Sequence, residues 1–173
     1  MNQEFIDKCK EIGIHECGIL PIEQVPFEHE VREMCAANRC GLYGKKWCCP
    51  PGCGTEEECK EKCMKYKNVF VFSTKYDLED SFDFEGMERA RKAHDKTDEE
   101  LLSLLDIPCE LAGAGSCTLC EQCTYPDAPC RFPDKARCSV EACGIDVVKL
   151  SSDCGINYIN GKDTVTYFSI LFW

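Results

Sequence analysis

Hydrophobic and polar positions alternate along this chain in two periods, and each period predicts its own kind of element. Phe5, Ile6, Cys9 and Ile12 recur at helical spacing, so residues 2–13 read as an amphipathic helix with Asn2 as cap and Gly13 at its C′ position. The apolar run 15–20 reads as a buried strand ending at Pro21, with His15 in a structural role at its edge. Pro26 suits the first turn of a helix carrying Val31, Met34 and Cys35. Thr55 and Glu58 form a capping box for a helix reaching about residue 66. Cys59, Cys63 and Tyr66 share one face of that helix, which either packs on the core or lends a ligand nearby. Residues 69–74 (Val-Phe-Val-Phe-Ser-Thr) form a strand.

From 85 to 105 the pattern is helical again. Glu85 stands four residues before Arg89 and Glu88 four before Lys92, Thr97 can restart the helix with Glu100, and His94 sits solvated among charges. Residues 107–112 read as a strand. Ser139 caps a short helix that stops at Gly144, and Asp146 caps another to Cys154. Asn160-Gly161 signals a hairpin into a last strand, 164–173. The pattern predicts an α+β (or α/β) fold over residues 1–173: one compact metal-binding domain with a mixed sheet, flanking helices and cysteine-rich loops.

Cysteine changes this picture most. There are seventeen in 173 residues, a density otherwise typical of small secreted disulfide scaffolds. The count is odd, the spacings are knuckle-like, and the N-terminus shows no basic stretch followed by an apolar one. The expected setting is a reducing cytoplasm, of an anaerobe, where thiols stay available for metal. The thiols fall into an N-terminal cluster, 35–63, and a C-terminal cluster, 109–143.

In the second cluster Cys117, Cys120 and Cys123 stand at C-x2-C-x2-C spacing, and Cys130 follows after six residues. Three such corners and a fourth ligand suit a cubane [4Fe–4S] cluster. Gly113 and Gly115 leave room for the backbone to approach it. Zinc is the alternative, although it favours two separated C-x2-C knuckles. The first cluster holds Cys35, Cys40, Cys48, Cys49 and Cys53 as metal candidates, with Pro50-Pro51 fixing an extended backbone beside them. Cys48 and Cys49 are neighbours, so in an extended segment they point to opposite faces. Tyr43 and Trp47 are candidate walls of a site, and Lys45 or Lys46 a candidate anion contact. Cys9 and Cys17 read as core residues.

The net charge of −11 leaves no basic patch for nucleic acid. It suits a redox partner protein presenting a basic face. No apolar run approaches the roughly 20 residues that cross a bilayer. No glycine-rich dinucleotide fingerprint opens a βα unit, and no histidine sits in a context that suggests a nucleophilic triad.

Cys35-x4-Cys40-x2-Tyr43-Gly44-x2-Trp47-x-Cys49-Pro50-Pro51, together with the later four-cysteine motif, resembles the prokaryotic family of predicted metal-binding proteins catalogued as domain of unknown function 2284. The resemblance extends to Cys130-Arg131-x-Pro133 and to Ser139-x-Glu141-Ala142-x-Gly144-Ile145-Asp146-Val147. It implies metal or iron–sulfur binding and no defined reaction. Cys35, Cys40 and Cys49 match the family pattern. The stretch 10–20 also resembles the opening of epoxyqueuosine reductases, over too few residues to imply a substrate or a corrinoid.

The expectation is an iron–sulfur protein with two [4Fe–4S] clusters. The loop site would pass electrons, and the site at Cys35, Cys40 and Cys49 would either gain a fourth thiol and relay them or leave one iron open for catalysis or sulfur handling. The alternative is a non-enzymatic zinc or iron–sulfur module for structure, assembly or delivery.

Overall fold

The computed structural model describes residues 3–173. Its centre is a four-stranded sheet in the order β1-β2-β4-β3, built from β1 (Glu16–Pro21), β2 (Asn68–Asp77), β3 (Glu110–Ala112) and β4 (Thr164–Phe172). Every strand pairing in it is antiparallel. The fold is α+β as expected, with an antiparallel sheet in place of a mixed one.

Strand β2 carries the logic of the core. Val69 and Val71 face one side, Phe70 and Phe72 the other, and all four are fully buried. A strand covered on both faces needs such an unbroken apolar run. The phenylalanine side meets Cys9 of α1 (Gln3–Glu11), Leu101 of α4 (Phe84–Ser103) and Leu111. The valine side meets Ile170, Val140, Ile145 and Leu150, the last from α5 (Val147–Asp153). Helices α2 (His29–Ala36) and α3 (Glu56–Cys63) both contact the short 3-10 turn Glu141–Cys143.

Most element predictions hold, and the departures have physical causes. The Asn2 cap lies outside the described residues. Pro26 does not open α2: its carbonyl accepts from Asp146 N, Phe27 bridges to Ile145, and the helix begins after Glu28. Helix α4 runs without a restart, because the Thr97 hydroxyl donates to Ile12 and Ala93 carbonyls. Asn160-Gly161 makes no hairpin, since β4 takes β2 and β3 as partners. The thiols at 48–53 lie in successive turns, Cys49 N to Lys46 O and Cys53 N to Cys49 O, and not on extended backbone.

The sheet order places the cysteine loop. Strand β3 is an edge strand, so the chain leaving Ala112 runs out of the sheet directly into Gly113 and the 117–130 segment. Gly113 forms a parallel bridge with Ser139, returning the far end of that loop to the sheet margin.

Candidate metal centre

The cysteine segments before α3 and after β3 are stitched together. Lys46 Nζ donates to the Cys117 carbonyl at 2.7 Å and to Ser116 Oγ at 3.2 Å. Trp47 Nε1 donates to the Ala128 carbonyl at 3.0 Å, and its ring meets Tyr125 edge-on at 4.9 Å. Lys46 is therefore a structural tie between the loops. From behind, Arg91 of α4 grips the loop: it donates to the Ala114 carbonyl and to Thr118 Oγ1 while paired with Asp95 at 2.8 Å.

The glycines before Cys117 answer to that packing. A Cβ on Gly113 would come within 3.1 Å of Asp98 Oδ2, and Gly115 takes a positive φ of 66° beside Arg91.

The structure sorts the thiols into three groups. In the first, Cys48, Cys117, Cys120, Cys123 and Cys130 line one small cavity of about 20 Å³ with Trp47 and Phe132. A hydrogen bond from Cys48 lowers the Cys117 thiol to about 6, and the Leu119 N–H assists. Cys48, keeping the shared proton, is pushed up to about 12. At Cys123 burial works against ionisation, but backbone N–H groups of Tyr125, Trp47 and Thr124 outweigh it and lower the thiol. N–H groups aimed at sulfur suit a thiolate held in a cluster.

In the second group, Cys35, Cys40 and Cys49 line a cleft of about 820 Å³ with Met34, Leu42 and Tyr43. Burial raises Cys49 to about 11 and also raises Cys35. Tyr43 walls this cleft and Trp47 the other cavity. Cys48 and Cys49, adjacent in sequence, serve the two different spaces.

The third group is Cys53, Cys59, Cys63, Cys138 and Cys143, around a cavity of about 60 Å³ below α3. Cys53 therefore leaves the set with which the sequence grouped it. The sequence grouped Cys138 and Cys143 with the C-terminal cluster 109–143, and the structure sets them instead beside Cys53, Cys59 and Cys63.

The soft, all-sulfur donor set around the first cavity fits an iron–sulfur cluster. Its volume is about that of one water, so a cubane enters only as the loop opens around it. Among the described residues, no three His, Cys, Asp or Glu side chains converge closely enough to hold a single metal ion. None of the described helices is long and apolar enough to cross a membrane.

The family model described as "Predicted metal-binding protein (DUF2284)" matches residues 18–173. No curated protein matches. Among solved structures, the chain is similar to an epoxyqueuosine reductase from Bacillus subtilis at 11% identity and to an epoxyqueuosine reductase with a modified tRNA-Tyr stem loop at 13%. Each alignment covers 98% of this chain and 44% of the other, with a TM-score of 0.42. The chain thus spans less than half the length of those enzymes. Likeness at this level carries no argument about activity.

Proposed function

The chain belongs to the DUF2284 family of predicted metal-binding proteins, and from that premise we propose that it is an iron–sulfur redox protein with two [4Fe–4S] clusters. Cys117, Cys120, Cys123 and Cys130 hold the first. Cys35, Cys40 and Cys49 hold the second, three thiolates for four irons. Such clusters supply one-electron transfer, and an iron without a protein thiolate accepts an outside ligand.

The observation that carries this reading is the gathering of five thiols on one cavity, with backbone N–H groups turned to the sulfurs of Cys117 and Cys123. The chain's own residues do the positioning. Lys46 and Arg91 fix the loop, while Trp47 and Phe132 wall the cavity. At the second site the cleft falls within the roughly 300–1,000 Å³ of small-molecule pockets. Met34, Leu42 and Tyr43 give it apolar walls, and Arg39 gives it a cation. Cys48 stands beside the first cluster as a protonated thiol. The acidic surface, net −11, fits a redox partner with a basic face, in a reducing cytoplasm.

Zinc demands four donors about one point, and metal analysis separates the two readings. Protein purified without oxygen should be brown and carry iron and sulfide in equal amounts, and Cys120→Ala should lose about four irons per chain. A colourless protein with stoichiometric zinc would establish the non-enzymatic structural or delivery module instead. Small thiols or cyanide should shift the electron paramagnetic resonance of the reduced second cluster, and Cys49→Ala should abolish that shift. No shift with any ligand would leave electron transfer alone.

A further inference from the structure

Neither proposed cluster uses the five cysteines under α3. Cys59 and Cys63 lie four residues apart on the buried face of that helix. Cys53 precedes it, and Cys138 and Cys143 come from the segment that closes the loop. Cys53, Cys59, Cys63 and Cys143 are each less than 9% exposed. Cys53 and Cys59 stand with their sulfurs 3.9 Å apart, far beyond a disulfide bond.

Free cysteine is a common core residue, and one or two here would need no other account. Arg32 argues otherwise. Reaching from α2, it donates to Cys53 Sγ at 3.5 Å and Cys59 Sγ at 3.7 Å, and its remaining bonds go to the carbonyls of Gly54 and Ala142. Among the described residues it has no carboxylate partner within salt-bridge distance. A half-buried guanidinium without a carboxylate is stabilised by negative charge, and here the groups able to carry it are sulfurs. Lys62 adds a second cation at the rim, bonded to the Cys53 carbonyl at 3.3 Å.

We propose that Cys53, Cys59, Cys63, Cys138 and Cys143 form a third metal–thiolate site, in which four of them hold an iron–sulfur cluster and Arg32 is its counter-cation. On loading, each ligating thiol releases its proton to solvent as its sulfur–iron bond forms, and no electron is exchanged.

The test leaves the core untouched. A full-length chain carrying Cys35→Ala, Cys40→Ala, Cys120→Ala and Cys123→Ala lacks ligands for both other sites, all four at half-exposed or exposed positions. Reconstituted without oxygen from equal amounts of ferrous and ferric iron with sulfide, which together supply the mixed-valent core with no outside oxidant, it should retain about four irons and four sulfides per chain. Adding Cys143→Ser should remove them. Adding Arg32→Gln should lower the midpoint potential of the retained signal, since a nearby cation favours the reduced, more negative cluster. A four-alanine chain that is folded by circular dichroism yet free of iron overturns the proposal while leaving the two-cluster reading intact. A four-alanine chain that carries as much iron as the parent would sink that reading and sustain this one. A retained signal indifferent to Arg32→Gln removes the counter-cation and, with it, the proposal as stated.

Discussion

His94 of α4 is fully buried, not solvated as its charged neighbours in sequence suggest. The Thr74 hydroxyl donates to Nδ1 at 2.7 Å, Nε2–H donates to Ser169 Oγ at 2.8 Å, and Ser169 donates to Asp98 Oδ2 at 3.1 Å. This directed chain needs a neutral imidazole. Burial, aided by the Arg91 charge, lowers His94 to about 4. Burial raises Asp98 to about 7 against the pull of Ser169, Arg137 and Arg91, with Asp95 pushing the same way as burial. Its Oδ1 has no hydrogen-bond partner, which a protonated carboxyl tolerates better than a carboxylate. The signs follow from linkage. Between the ordinary 6.5 of histidine and about 4, stability falls as pH drops, because the unfolded His94 takes the proton. Between the ordinary 3.8 of aspartate and about 7, stability falls as pH rises, because the folded Asp98 holds it. The two oppose each other in acid, and above about pH 6.5 only Asp98 remains. Thermal stability should therefore fall from about pH 6.5 to 8 and level off beyond, and Asp98→Asn should flatten that decline. The clue to this network was in the sequence: Ala90, His94, Thr97 and Leu101 recur at helical spacing, a buried stripe that the surrounding charges hid.

At the scale of elements, helices and β2 were legible because their signals are local. The Thr55–Glu58 capping box forms as written, with Glu58 N to Thr55 Oγ1 at 3.1 Å and Thr55 N to Glu58 Oε2 at 2.8 Å. Strand β4 was found, but its partner was not. The turn signal at Asn160-Gly161 pointed to an adjacent strand, whereas burial on both sheet faces is satisfied by pairing with β2, some ninety residues earlier. What connects helix to site is also non-local. Arg91 is about four-fifths buried and bonds to Asp95, Ala114 and Thr118, so Arg91→Ala should cost about 1.5–3 kcal/mol, as for hydrogen bonds to a charged group. It should also speed iron loss from the 117–130 loop to a chelator. An unchanged release rate would show that the loop is held by its own turns.

For the molecule as a whole, the expected division is between a sheet core that folds by burial and thiol segments that fold around metal. Limited proteolysis of metal-free protein should cut within 38–54 and 113–138 first, leaving β2, β4 and α4 protected; equal resistance with and without metal would contradict this. The sequence named the thiols of the loop, since C-x2-C-x2-C is a local code. It could not divide the others, because Cys53 meets Cys138 and Cys63 meets Cys143 only once the chain returns through β3. The neighbours Cys48 and Cys49 make one more consequence unavoidable if both adjoining spaces hold clusters. Adjacent residues then border two electron stores, and an electron placed on one repels an electron arriving at the other. Reduction would be anticooperative. A potentiometric titration should show two waves further apart than the clusters would give in isolated halves, and the pair should pass electrons singly, never two at once.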